Sequence, residues 1–301
     1  MAPKINQPTV KSFFDPATFT AQYVVHDPKS GKGVIIDPVL DYDPVSAGTQ
    51  TSSAEQIVEY CCQQRLNILW ILETHAHADH MSAAGFLSEQ LSAKTAIGQG
   101  ITSVQRHFAP LFGFEPEFTC DGSQFDLLLL DGDMLELGEL QIEVLATPGH
   151  TLACVSFLIG DAVFVGDTVF MPDYGCARTD FPGGDAAQLF HSIQRLYELA
   201  DETRMFLCHD YLTPGRSEFV IETSVGAQAR DNVQINRNTK LDGFVKQRNA
   251  RDQALCMPKL ILPALQINLR AGQLPTPVKN GISYLQIPLN QFHKPKNSDP
   301  S

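Results

Sequence analysis

No stretch of this 301-residue sequence is long and apolar enough to cross a bilayer, which takes about 20 consecutive residues. The opening MAPKINQPTVKSFF has no apolar core of the kind a secretory leader carries. Basic residues are scarce: 22 lysines and arginines stand against 34 aspartates and glutamates, a formal net charge of -12. That balance argues against a dedicated nucleic-acid or anionic-membrane surface, and an anionic small substrate would need a local basic pocket. The seven cysteines are scattered, odd in number and without a CxxC pair. Neither a zinc finger nor a disulfide framework is therefore expected, and free thiols in a reducing, cytoplasmic compartment are. There is no internal repeat or low-complexity tract. A composition 43% hydrophobic and 19% charged describes a globular chain able to bury a sizeable core.

What is present is a series of short apolar runs, many of them followed by polar residues. Residues 19–25 and 34–36 predict two strands around the turn Asp27-Pro28-Lys29-Ser30-Gly31-Lys32-Gly33. Ser53 and Gln56 suggest a capping box, with Ile57, Val58, Cys61 and Cys62 following at helical spacing. A buried strand at 68–72 comes next, then a helix from about Ser82 with Ala84, Leu87 and Leu91 on one face. The middle of the chain is β-rich, with strands expected over 127–130, 134–137 and 140–146. Residues 154–159 and 162–165 face each other across Gly160-Asp161, a hairpin signal. A helix is expected over 186–200 and a short strand over 205–207. Beyond about Val225 the sequence turns rich in Asn, Gln and Arg. This divides the chain into an expected catalytic domain, 1–225, and a C-terminal extension, 226–301, packed on the core or at a subunit contact.

Four polar clusters each sit just past an apolar strand. They are His75-Ala76-His77-Ala78-Asp79-His80, Thr147-Pro148-Gly149-His150-Thr151, Gly166-Asp167 and His209-Asp210-Tyr211. Strand ends on one edge of a sandwich converge, so separated clusters can build one site. Imidazole nitrogens with carboxylate oxygens suit borderline metals such as zinc and ferrous iron. Any one of these residues alone has a blander role, Asp167 as a turn cap or His150 bonded within its own loop. Taken jointly, each at a strand end, they point to a metal site.

The same residues resemble the metallo-β-lactamase superfamily, which carries HxHxDH (here 75–80), the histidine of Pro148-Gly149-His150-Thr151, the aspartate of Gly166-Asp167 and a late histidine, His209. The resemblance spans roughly residues 15–215 and implies an α/β fold, an αββα sandwich with the metal at one edge of two sheets. Cys176-Ala177-Arg178-Thr179-Asp180-Phe181, followed by Cys208-His209-Asp210-Tyr211, is similar to the persulfide dioxygenases related to the human ethylmalonic-encephalopathy protein. Pro182-Gly183-Gly184 and the long tail resemble the longer bacterial branch, whereas Cys176 resembles the human-type branch.

This resemblance implies one Fe(II) per subunit on His75, His150 and Asp167, with three positions open to glutathione persulfide and O2. Oxidation to sulfite and glutathione, in sulfide and persulfide detoxification, is the implied reaction. His77, Asp79, His80 and His209 correspond to ligands of two-metal hydrolases; here they are expected to support the iron ligands or to mark an unused second metal site. Arg178 and Tyr211 are candidate substrate-binding residues, the guanidinium suiting a glutathione carboxylate. An internal ion pair of Arg178 with Asp180 or Asp210 is the competing expectation. Cys176, Asp180 and Asp210 are candidate supports, and a homodimer is the family expectation. The rival enzyme is a glyoxalase II-type hydroxyacylglutathione thioester hydrolase with two metals. A third reading, a non-catalytic binding or redox-sensing protein, fits poorly with an intact ligand set.

Overall fold

Two six-stranded sheets face each other in the computed structural model, which describes residues 7–292. The N-terminal half runs β1 (Thr9–Asp15), β2 (Thr20–His26), β3 (Lys32–Ile36), β4 (Val39–Asp43), β5 (Gly48–Gln50) and α1 (Ser52–Gln64). It continues with β6 (Asn67–Glu73), β7 (Met81–Ser82), α2 (Ala84–Leu91), β8 (Lys94–Gly98), α3 (Ile101–Phe112) and β9 (Leu127–Leu129). Next come β10 (Met134–Leu137), β11 (Leu140–Ala146), β12 (Val155–Ile159), β13 (Ala162–Phe164), α4 (Ala186–Leu196) and β14 (Arg204–Phe206). The chain ends in β15 (Glu222–Ser224), α5 (Val225–Asp231), α6 (Leu241–Gln253) and α7 (Ile261–Asn268).

The first sheet has the order β1-β2-β3-β6-β8-β9, the second β10-β11-β12-β13-β14-β15, and β5-β4-β7 forms a small third sheet. In the first, β3, β6, β8 and β9 pair in parallel. In the second, β13 and β14 pair in parallel, joined by a crossover through α4. β2 is buried at all of its positions and β3 at all but Lys32, because both faces of the sheet are covered. Tyr23, Val25, Val34 and Ile36 enter the core between the sheets with Phe157, Phe164 and Phe206. Val24 and Ile35 point the other way, onto Ile57 and Cys61 of α1 and Leu87 of α2. Leu189, Ile193 and Leu196 of α4 and Phe244 of α6 cover the second sheet. The layers are those of an αββα sandwich.

Local chemistry departs from the sequence reading at several points. Ser53 does not cap α1: Thr51 is the N-cap residue and makes no side-chain capping bond. The Ser53 N–H instead donates to Asp41 Oδ2 at 2.9 Å, and its hydroxyl to Asp41 Oδ1, so a carboxylate from β4 does the capping. α4 begins where Asp185 accepts from the Gln188 N–H and stops at Leu196, short of residue 200. The hairpin at Gly160-Asp161 forms with Ile159 opposite Ala162. β8 and α3 had no counterpart in the sequence reading. Residues 1–6 and 293–301, included in the expected division of the chain, lie outside the described residues. Within the described part of 226–301, Ile235 and Phe244 pack against the second sheet's helical layer. Ile261, Leu265 and Leu269 pack with Phe108 and Phe112 of α3. No described helix is long and apolar enough to cross a membrane.

Phe157 is fully buried between the sheets. Phe157→Ala is expected to cost about 3–5 kcal/mol, read from the denaturant midpoint. Val45, 94% exposed, is the control: Val45→Ala should stay within about 0.5 kcal/mol.

Candidate metal centre

β6 delivers Thr74 to His80 to one edge of the sandwich, and the loops after β11, β13 and β14 bring His150, Asp167 and His209 to the same edge. The four clusters read from the sequence meet. The ring of His75 lies 4.0 Å from that of His77 and 5.0 Å from that of His150, while His77 and His80 are 4.1 Å apart. Asp167 stands between them, Oδ2 3.7 Å from both His75 Nε2 and His150 Nε2, and Oδ1 3.3 Å from His209 Nε2. Asp79 Oδ2 is 3.1 Å from the same His209 nitrogen.

Each histidine is oriented through its other ring nitrogen. His75 Nδ1 bonds Thr74 Oγ1 at 3.0 Å, and that hydroxyl donates onward to Asp37 Oδ2 at 2.8 Å. His150 Nδ1–H donates to the Arg178 carbonyl at 2.8 Å. His80 Nδ1–H donates to the Met81 carbonyl at 3.2 Å, and His209 Nδ1–H to the Phe19 carbonyl at 3.1 Å. His77 is reversed, with Nε2 3.1 Å from Asp37 Oδ1 and 3.3 Å from Glu73 Oε2. These partners leave Nε2 of His75, His80, His150 and His209, and Nδ1 of His77, free of the outer bonds, which is how outer partners prepare metal ligands.

The inward atoms are buried and have no hydrogen-bond partner: His75 Nε2, His77 Nδ1, His80 Nε2, Asp167 Oδ1 and His209 Nε2. Such a concentration of unsatisfied buried groups is costly unless something binds them, and a cation does. Burial and the neighbouring His77 and His150 hold His75 well below the usual histidine range, so its lone pair is available. Burial pushes His80 down to about 3. His77 is moved well up: burial opposes this, but Asp37 and Glu73 prevail. Burial raises Asp167 despite His209 and His150 beside it. Donor atoms of His75, His150 and Asp167 lie within 4.8 Å of one another, as do those of Asp79, Asp167 and His209, and those of His77, His80, Cys208 and His209. The donor set therefore fits a metal.

The backbone turn that presents Asp167 needs glycine. Gly166 has φ of 52°, and a Cβ there would approach Thr74 Oγ1 to 2.4 Å, the hydroxyl that bridges Asp37 and His75.

Arg178 forms a two-pronged pair with Asp180, at 2.6 and 2.8 Å, and also donates to the Cys256 carbonyl at 2.6 Å. Asp210 pairs with Arg216, not with Arg178, at 2.5 and 2.6 Å. Tyr211 stacks on His209, ring centroids 5.4 Å apart, beside Phe170, Tyr174 and Phe19. Cys176 is buried, its carbonyl accepting from Arg248 at 3.1 Å. Sequence reasoning missed Asp37, Glu73, Thr74 and Cys208 as neighbours of the site. Asp37 and Thr74 do share a signal: like the ligands, each directly follows an apolar strand.

Burial opposes ionisation of Asp210, yet Arg216 and the N–H groups of Val220 and Leu212 hold its carboxyl below the usual range. A depressed folded-state value gives stability that is present above the unfolded carboxyl range and lost as pH falls through the folded one. Arg216→Met strands this buried charge and should cost about 3–5 kcal/mol at neutral pH. Urea denaturation as a function of pH should show the gap to wild type narrowing in acid.

Residues 16–215 match the family described as the metallo-beta-lactamase superfamily. A probable metallo-hydrolase of Burkholderia pseudomallei (strain 1710b) is 48% identical over 94% of this chain and 99% of its own. Human mitochondrial persulfide dioxygenase ETHE1 is 32% identical over 67% of this chain and 68% of its own. The crystal structure of ETHE1 from Myxococcus xanthus superposes with a TM-score of 0.69 at 29% identity, covering 88% of this chain and 100% of that one. Some curated relatives are longer, and the chain spans 65% of one of them. On the matched family and the persulfide dioxygenase homologues together, the chain belongs to the metallo-beta-lactamase superfamily.

Proposed function

We propose that the protein is a persulfide dioxygenase, oxidising glutathione persulfide with O2 to sulfite and glutathione at one ferrous ion held by His75, His150 and Asp167. The observation that carries this reading is the grouping of donors. His75, His150 and Asp167 converge as two imidazoles and one carboxylate, while His77 is grouped instead with His80, Cys208 and His209. Two histidines and a carboxylate on one face leave positions for substrate and dioxygen, as non-haem ferrous oxygenases require. Ferrous iron bound there supplies the redox chemistry with dioxygen.

The chain's own residues supply orientation and an apolar wall. Thr74 and the Arg178 carbonyl fix the two iron-binding rings. Phe19, Phe170, Tyr174 and Tyr211 form an aromatic cluster against His209 that offers the substrate an apolar wall. The Tyr211 hydroxyl is assigned to hydrogen-bond glutathione. The Arg178 guanidinium reaches a glutathione carboxylate only by exchanging Asp180 for it. In the net reaction the outer sulfur gains two oxygens from O2 and one from water. The S–S bond breaks, and its electron pair leaves with the glutathione sulfur, which takes a proton. A cytoplasmic homodimer, without nucleic-acid or membrane partners, completes the proposal.

A two-metal thioester hydrolase is the second reading. It is favoured by the complete Asp79, Asp167 and His209 group and by the relative named a probable metallo-hydrolase. Anaerobically purified protein given glutathione persulfide should consume oxygen, carry one iron per chain and leave a hydroxyacylglutathione thioester intact. Two metals per chain with thioester cleavage and no oxygen uptake would establish the hydrolase.

Asp167→Ala and His150→Ala should each lose nearly all bound iron, because each deletes one of three direct ligands. His209→Ala should retain most of it. Equal iron loss in all three variants, measured by metal analysis, would favour the two-metal site.

A further inference from the structure

Two helices beyond the superfamily match reach back to the metal-bearing loops. Asn268, at the end of α7 and 4% exposed, uses all of its side-chain amide. Its Nδ2 donates to the carbonyls of His77 and His80, both at 2.8 Å, and its Oδ1 accepts from the Ser82 N–H at 2.8 Å. One side chain thereby fixes the path of the loop that holds Asp79 between two of the histidines. The turn after α7 is pressed against the same region: Gly272 has φ of 78°, and a Cβ there would lie 2.9 Å from the Ser82 carbonyl.

α6 does the same for the second loop. Asp252 Oδ2 accepts from the Thr179 N–H at 2.8 Å and from its hydroxyl at 3.0 Å. Arg248 donates to the Cys176 carbonyl at 3.1 Å and to Asp252 Oδ1 at 2.5 Å. Cys256, just past α6, accepts from Arg178. The Arg178 carbonyl, which orients His150, is thus bracketed on both sides by bonds from the C-terminal segment. Arg248 and Asp252 are each 3% exposed. A buried ion pair is poor glue for packing alone, since apolar residues of the same size serve at least as well. Its polar atoms are spent on the backbone that aims a metal ligand.

We propose that α6 and α7 are positioning elements of the metal centre, acting through Asn268 on the His77–His80 loop and through the Arg248–Asp252 pair on the carbonyl that orients His150. This rests on the metal-centre reading but not on which reaction the metal serves.

If these helices improve metal binding, metal binding must stabilise them equally, because coupling between two equilibria is reciprocal. In the wild-type full chain, anaerobic Co(II) binding should slow amide exchange within 248–256 and 261–269 by about tenfold, the lower end of what outer partners contribute to affinity. Asn268→Asp keeps the shape but turns the two donors into an acceptor, and Asp252→Asn removes the charge. Each should weaken Co(II) binding about tenfold and change the visible ligand-field spectrum of the cobalt-saturated protein, with the far-ultraviolet circular dichroism unchanged. Should a variant fail to fold, the exchange experiment on wild type decides. A lower melting temperature with unchanged affinity and spectrum, or exchange in both segments indifferent to cobalt, would overturn the proposal. Absence of Co(II) binding by wild type would instead sink the metal centre itself.

Discussion

The site hangs on one buried carboxylate. Asp37, at the end of β3, accepts from the Thr74 N–H at 2.7 Å and the Thr74 hydroxyl at 2.8 Å, and faces His77 Nε2 at 3.1 Å. Burial would raise its pKa, but His77 and the Thr74 donors keep it below the usual range, so it stays anionic. It holds a left-handed backbone conformation, φ 51°, that a non-glycine residue adopts only at some cost. In return, β3 and β6 are locked at the point where the ligand loop leaves the sheet. His75 is steered through Thr74 and His77 directly, so two ring orientations trace to the same two oxygens.

Around that anchor buried carboxylates are set against imidazoles. Asp37 and Glu73 face His77, and Asp79 and Asp167 face His209. Burial raises Glu73 more than His77 and the Ser82 hydroxyl draw it down. This facing of carboxylates and imidazoles is in line with the high cost of burying an unpaired ion.

The converging histidines and aspartates were legible because their signal is local. HxHxDH, Pro-Gly-His and Gly-Asp each occupy a few consecutive positions after an apolar strand, and the runs Tyr23-Val24-Val25 and Val34-Ile35-Ile36 mark the stretches of β2 and β3 covered on both faces. What escaped was carried by partners far apart in sequence. Asn268 reaches His77, and Asp41 takes over the capping of α1 from a neighbouring strand; no spacing rule announces either. α3 is a different case. Ile101, Val104, Phe108 and Phe112 are buried at helical spacing, but Pro110 in the last turn disguises the pattern as a break. For Arg178 the sequence allowed either a substrate carboxylate or an internal ion pair, and the guanidinium is engaged by Asp180, two residues away.

The donor atoms come from both halves of the chain, with β6 supplying the early histidines and the loops after β11, β13 and β14 the rest. A nascent chain on the ribosome thus exposes HxHxDH long before Asp167 or His209 exists. During that interval the early histidines offer only a partial, open chelate, and β6 lacks the opposing sheet that would hold it. The complete donor set consequently exists only after the second half of the chain has been made and has folded against the first. Intrinsic affinity of such nitrogen and oxygen donors for divalent metals follows a fixed order, so which ion a site of this kind holds depends on metal supply as well as on its donors.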